Sequence, residues 1–274
     1  MQRSTLELIV KIIQLSDIHL VAGDGELFGL HPARRLLKCL KHIEAHHGDA
    51  ELVVFTGDLV HDGDPLAYLA LKEIVAHFSL PIRLLLGNHD HRENFRGVFP
   101  GCEVDENGFV QSSFDKDGVR CIFLDTHVPD EGYGLLCSAR LEWLRSCVSA
   151  AGDKRLLIFM HHAPEGTGFG VPGFSDIAFV DPESFWNAVA AGHVLQIFAG
   201  HYHLPVNAVV NGHPIVVSRG TSHQIVLDLA NFRRPEFVDA EPTYNVILVG
   251  GDSVCVHEWS FLNESTIVRP HMPK

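Results

Sequence analysis

The chain is short of positive charge: 21 Lys and Arg stand against 34 Asp and Glu over 274 residues, a formal net charge of -13. A field of that sign repels polyanions and argues against a protein that tracks a nucleic-acid backbone. Basic pairs such as Arg34-Arg35 and Arg233-Arg234 occur, and no run of Lys and Arg is longer than two. Paired-cysteine patterns are also missing. Cys39, Cys102, Cys121, Cys137, Cys147 and Cys255 are scattered without a C-x-x-C, which excludes a compact disulfide framework and predicts reduced, mostly buried thiols. No stretch approaches the roughly 18 uncharged apolar residues of a membrane span. The apolar run over 6–15 contains Glu7 and Lys11 and leads directly into Asp17; without a small-residue cleavage site it reads as a first strand and not a signal peptide. The expectation is a cytoplasmic chain that binds neither membrane nor nucleic acid.

What is present suits a folded enzyme. Hydrophobic residues make up 46% and charged residues 20%, with no low-complexity or repeated segment. The length sits near the ~250–300 residues at which single cores stop growing. One domain over 1–274 is expected, with its core at about 8–229 and C-terminal strands over 230–274 that serve as an oligomer contact or a lid.

Apolar patterning predicts strands over 8–15, 51–55, 82–86, 119–124, 155–160 and 195–198. They alternate with helices over 32–46, 65–78, 138–149 and 182–190, three of which open on a proline suited to the first turn. Such alternation marks an α/β sheet with crossover helices. After Gly200 short strands are expected over 206–210, 214–218, 225–229, 244–249 and 254–259, with a hairpin turn at Asn211-Gly212. The sheet therefore turns antiparallel in its C-terminal half. The segments 165–176 and 231–242 read as irregular.

Each early strand ends in residues that hold metals. Asp17-x-His19 follows the first, Gly57-Asp58 the second and Gly87-Asn88-His89-Asp90 the third; His161-His162 and Gly200-His201-Tyr202-His203 follow two later ones. Taken singly these are ordinary, since Asp58 suits a helix N-cap and Asn88 a turn. Jointly they converge, because the carboxyl ends of strands in an open α/β sheet face one crevice. Carboxylate, amide oxygen and imidazole without thiolate favour Mn, Fe, Co or Zn. Seven candidate ligands exceed the four of a single structural zinc site, so two divalent ions ~3.5–4 Å apart are expected.

The series Ser16-Asp17-x-His19-Leu20, Thr56-Gly57-Asp58-Leu59, Gly87-Asn88-His89-Asp90, Met160-His161-His162-x-Pro164, Gly200-His201-Tyr202-His203 and Gly220-Thr221-x-His223-Gln224 resembles the calcineurin-like metallophosphoesterase superfamily. Within it, the chain resembles the class III cyclic-nucleotide phosphodiesterases and their relatives, the bacterial glycerophosphodiesterases, over roughly 12–227. The fold this implies is α/β, a four-layer αββα sandwich with mixed sheets. By motif position Asp17, His19, Asp58 and His203 would hold one metal and Asp58, Asn88, His161 and His201 the other, with Asp58 bridging. The resemblance also implies hydrolysis of small phosphodiesters, cyclic nucleotides such as cAMP or glycerophosphodiesters, by a metal-bridging hydroxide. His89 would be the catalytic histidine, Asn88 and His223 would meet the substrate, and a homo-oligomer would be usual.

Two positions stay open. His162 adjoins His161 and exchanges with it on spacing alone; the family pattern prefers His161. His31, in Leu27-Phe28-Gly29-Leu30-His31, either touches substrate or caps the next helix. One departure bears on substrate: His61 stands where the protein-phosphatase branch carries an acidic residue that orients the catalytic histidine, with Asp62 next. Protein phosphatase activity is correspondingly disfavoured. The alternatives are a phosphomonoesterase or an enzyme of both activities, a nuclease, or a non-catalytic scaffold.

Overall fold

The computed structural model describes residues 10–164, 173, 176–230 and 234–262. One sheet comprises β1 (Val10–Leu15), β2 (Leu52–Phe55), β3 (Ile82–Leu84), β12 (Thr243–Gly250) and β13 (Ser253–Ser260) in the order β13-β12-β1-β2-β3. A second comprises β4 (Ser112–Lys116), β5 (Val119–Phe123), β6 (Arg155–Phe159), β7 (His193–Ala199), β8 (Val206–Val210) and β9 (His213–Val217) in the order β4-β5-β6-β7-β9-β8. A ribbon of β10 (Gln224–Ile225) and β11 (Phe237–Val238) lies apart from both.

The period-two alternation of side chains makes each central strand feed two cores. Val10, Ile12, Leu52 and Val54 from the first sheet pack with Phe123, Phe159 and Phe198 from the second, filling the space between the sheets. Their neighbours Ile13, Leu15, Val53 and Phe55 turn outward onto α1 (Pro32–His47) and α2 (Pro65–Val75) through Leu36, Leu40, Tyr68 and Leu71. On the far side Ile122, Leu156, Ile158 and Ile197 meet α4 (Ser138–Ser149) and α5 (Pro182–Val189) through Leu144, Val148, Phe185 and Val189. The layers are αββα, as the resemblance implied, and strands covered on both faces explain the near-continuous apolar runs in the sequence.

The helices begin where expected and end early in two cases, at Val75 and Val189. Asn211 and Gly212 adopt φ of 50° and 82° and close the β8–β9 hairpin as read. Other expectations are corrected. The strand β4, the short helix α3 (Arg92–Val98) and β11 were not anticipated, the last within a segment read as irregular. The antiparallel turn expected of the C-terminal half is present: β12 pairs antiparallel with β1 and β13 in the first sheet and β8 with β9 in the second, while β7 and β9 are parallel. The cysteines are free, but only Cys39 and Cys121 are buried. Cys255 is exposed because it lies on β13, at a sheet edge. Residues 8 and 9 of the expected first strand, most of 165–176, and Arg233 lie outside the described residues. Among those described, no helix is long and apolar enough to cross a membrane.

A buried latch joins the two halves next to the crevice. Asp125, fully buried just after β5, accepts from Arg92 Nε at 2.7 Å and Nη2 at 2.8 Å, and from the Val110 amide at 2.9 Å. Arg140 packs beside it, donating to the Asp125 carbonyl at 2.7 Å. Removing the carboxylate strands guanidinium charge in a dry site, which typically costs ~3–5 kcal/mol. Asp125→Ala is expected to lower the unfolding free energy by that amount in urea titration. A loss under ~1 kcal/mol would mean that the arginines regain water, contrary to the burial argument.

Candidate metal centre

The polypeptide turns into the left-handed region at the ends of three strands. Asp17 (φ 54°), His19 (48°), Asp58 (50°), His201 (79°) and His203 (51°) all lie there. L-residues pay for that conformation, although Asp and His tolerate it better than bulky types. Strain concentrated in this way is a property of functional sites. Its effect is to aim side chains from separate strands into one crevice. Two glycines leave room for them: a Cβ on Gly57 would lie 2.4 Å from His161 Nδ1, and one on Gly87 would lie 2.2 Å from Asp58 Oδ1.

Asp58 stands at the middle and is 1% exposed. Its Oδ1 accepts from the His89 amide at 2.9 Å, while Oδ2 faces His19 Nε2 at 3.5 Å and His161 Nε2 at 3.4 Å. On one side the ligand atoms of Asp17, His19, Asp58 and His203 all lie within 4.8 Å of one another. On the other, those of His161, His162 and His201 do so too, and Asn88 Oδ1 is 3.1 Å from His161 Nε2.

The hydrogen-bond partners of the rings leave the inward nitrogens free. His161 Nδ1 is 2.7 Å from the Thr56 carbonyl and His203 Nδ1 is 2.8 Å from the His223 carbonyl. A carbonyl only accepts, so each Nδ1 carries the hydrogen and each Nε2 presents its lone pair inward. His201 is reversed, with Nε2–H on the Ile177 carbonyl at 2.9 Å and Nδ1 left inward. His203 Nε2 lies 3.0 Å from His19 Nε2 and 3.5 Å from Asp17 Oδ1. Buried lone pairs and carboxylate oxygens thus converge with few hydrogens between them. Cations satisfy such a donor set, and the outer carbonyls fix ring orientation as they do around bound metals.

Electrostatics agree with this arrangement. Burial lowers the pKa of His19 far below the ordinary imidazole value and, with the charge of His161, lowers His201 to about 3. His162 is lowered similarly by burial and by His201. Burial opposes charge on His161 too, but the Asp58 carboxylate outweighs it and raises that ring to about 9. Asp58 itself, despite burial, is held well below the carboxylate range by His161 and His89. Burial raises Asp17. The lowered rings of His19, His162 and His201 are already in the neutral form a divalent cation requires, whereas His161, held charged by Asp58, would release its Nε2 proton on binding one.

All seven expected ligand positions, Asp17, His19, Asp58, Asn88, His161, His201 and His203, meet here. His89 lines the same cleft, its Nδ1 donating to the His61 carbonyl at 2.8 Å. The orienting task that an acidic side chain performs elsewhere therefore falls to the backbone of His61, whose ring stacks on His89 at 4.9 Å. His223 also lines the cleft and stacks on His203 at 4.2 Å. His161 and His162 are separated by their partners: His162 Nδ1 is 2.8 Å from Thr126 Oγ1, whereas His161 faces Asp58 and Asn88. Asp58 caps no helix; Asp64 does that for α2. Of the two readings of His31 the helix cap is the one met: it takes the N-cap position of α1, its carbonyl accepting from the Arg35 amide at 3.1 Å, while its side chain makes no cap hydrogen bond, pairs with Glu26 at 3.2 Å and does not line the cleft.

Two contributions were not anticipated. Asp90 accepts from the amides of Leu59, Val60 and Gly87 and from the Tyr68 hydroxyl at 2.8 Å, clamping the loop that carries Asn88 and His89 to the one that carries Asp58. The other is an apolar wall of Phe28, Ile177, Ile225 and Phe237 across a cleft of about 510 Å³. The run of four residues at 87–90 hinted at Asp90; nothing local in the sequence pairs Phe28 with Phe237.

The calcineurin-like phosphoesterase family model matches residues 10–205. A probable cyclic nucleotide phosphodiesterase of Rhodopseudomonas palustris is 34% identical over 266 residues, 96% of either chain. A probable glycerophosphodiester phosphodiesterase of Arcobacter nitrofigilis is 29% identical over 255 residues, 91% of this chain and 88% of that one. A solved dimetal phosphatase from Danio rerio superimposes with a TM-score of 0.64 at 14% identity, over 93% of this chain and all of the other, a likeness of fold alone.

Proposed function

Since the chain belongs to the calcineurin-like phosphoesterase family, we propose that this metal-dependent hydrolase is a two-metal phosphodiesterase of small diesters, cyclic nucleotides or glycerophosphodiesters. The observation that carries the reading is the placing of Asp58 Oδ2 between His19 Nε2 and His161 Nε2, at 3.5 Å and 3.4 Å. One carboxylate oxygen serves both halves of the donor set. Asp17, His19, Asp58 and His203 hold one ion in this reading, and Asp58, Asn88, His161 and His201 hold the other. The oxygen and imidazole donors suit Mn, Fe, Co or Zn. When bound, two such ions supply Lewis acidity and neutralise charge on the phosphoryl oxygens.

The protein's own groups do the rest. Asp90 fixes the Asn88-His89 loop and the His61 carbonyl holds His89 Nδ1–H, which leaves Nε2 as the ring atom that meets the phosphate or the leaving oxygen. Relatives named for cyclic nucleotide and glycerophosphodiester hydrolysis favour a diester. The charge of -13 disfavours a polymeric nucleic-acid substrate. We further propose one domain over 1–274, a cytoplasmic location and a homo-oligomer.

The test is initial rates of the Mn-loaded protein on 3′,5′-cyclic AMP, 2′,3′-cyclic AMP, glycerophosphocholine and a nitrophenyl monoester. One diester is expected to exceed the monoester in kcat/KM by ~10-fold or more, about 1.4 kcal/mol of transition-state preference. Dominance of the monoester would overturn the diester assignment and leave the metal centre standing.

A further inference from the structure

Phe28 is a bulky residue in a conformation such residues avoid. Leu27 and Leu30 exchange backbone hydrogen bonds at 2.8 Å and 2.9 Å around a two-residue turn, with Phe28 at φ 52° and Gly29 at 76°. The first position of that turn belongs to Asn, Asp or Gly, and phenylalanine there is an outlier. No core holds it in compensation, since Phe28 is 50% exposed. Its ring instead lies flat on that of Phe237, with centroids 4.4 Å apart and planes at 9°. Phe237 is 44% exposed, so both rings remain open to solvent. The pair stands across His223, at 81° from Phe28 and 85° from Phe237, on the apolar side of the cleft that holds Asp58, Asn88 and His89.

We propose that Phe28 and Phe237 form a stacking platform that selects a diester carrying a planar aromatic arm, a nucleobase, over one carrying glycerol or a choline headgroup. The proposal rests on the phosphodiesterase reading above and deepens it. A base laid on an outer ring face extends the two-ring stack by a third, and every base has a face to offer. A glycerol arm has none. A quaternary ammonium is bound by rings that surround it as a cage, whereas these two are parallel and present one plane. The strained turn is the device that holds the Phe28 ring out over the cleft; relaxing it would withdraw the platform.

The experiment is calorimetric titration of the Mn-loaded protein with adenosine 5′-monophosphate, glycerol 3-phosphate and phosphocholine, alongside turnover of 3′,5′-cyclic AMP. Asn accepts the left-handed region, so Phe28→Asn should keep the melting temperature at or above that of the wild type. It is expected to weaken adenosine monophosphate binding about tenfold or more, to leave the other two ligands within about twofold, and to raise KM for cyclic AMP with kcat held. Phe237→Ala should act in the same direction and Phe28→Tyr should retain wild-type binding. Equal weakening of all three ligands would make the pair a structural strap and overturn the proposal; so would loss of phosphocholine in step with the nucleotide, or unchanged nucleotide binding in both variants. A protein that shows the nucleotide preference but hydrolyses no diester would keep the platform and fail the phosphodiesterase reading.

Discussion

Asp58→Ala is expected to lower kcat/KM on the preferred diester by ~10³-fold or more, and to reduce tightly bound metal below two ions per chain. A pair of cations contributes several kcal/mol of transition-state charge stabilisation, and every 1.36 kcal/mol is tenfold in rate. The residue has two separable jobs. Oδ1 receives the His89 amide at 2.9 Å and so fixes the loop, and Oδ2 faces both histidine groups. Asp58→Asn keeps an acceptor for the amide and removes the charge. If the charge is what matters, Asn and Ala variants should lose metal and activity alike, as measured by elemental analysis and initial rates. Chelation of the wild type should reproduce the loss, and added Mn should restore it. Retention of rate within about tenfold in Asp58→Ala would remove the shared carboxylate from the mechanism.

The candidate ligand positions could be picked out because each follows a strand, buried in β1, β2, β6 and β7 and half-buried in β3, and the fold brings those strand ends together. Helix α4, read as 138–149, ends where its buried stripe of Leu141, Leu144 and Val148 ends. What escaped notice lacks a periodic signal. In β4, Ser112 to Lys116, side chains are half-buried or exposed at every position; it is an edge strand with too little apolar pattern to declare itself. Helix α3 is seven residues long with only Phe95 buried, below the length at which helical spacing can be seen. The clamp by Asp90 and the latch at Asp125 are contacts between a side chain and distant backbone or arginine, which no spacing rule encodes. Phe28 and Phe237 meet only because the β10–β11 ribbon folds over the turn after β1. The histidine at 61 was read as a departure from an acidic pattern, and the structure gives the reason it is tolerated: the carbonyl of that same residue, not its side chain, receives His89 Nδ1–H.

His89→Ala is expected to lower kcat on 3′,5′-cyclic AMP by ~10²–10⁴-fold, the range for loss of a general acid, with metal content unchanged because His89 is not among the proposed ligands. The size of the loss should depend on the leaving group. An alkoxide departing from ribose or glycerol is strongly basic and needs a proton as the bond breaks, whereas a nitrophenolate departs unaided. On bis(nitrophenyl) phosphate the same variant should therefore fall by no more than about tenfold. Equal losses on the two substrates would make His89 an electrostatic clamp on the phosphate, since a clamp acts on charge common to both reactions. Unchanged rates on both would remove His89 from the chemistry and leave its place beside Asp58 a matter of packing against His19 and His61, with which its ring is in contact at 4.7 Å and 4.9 Å.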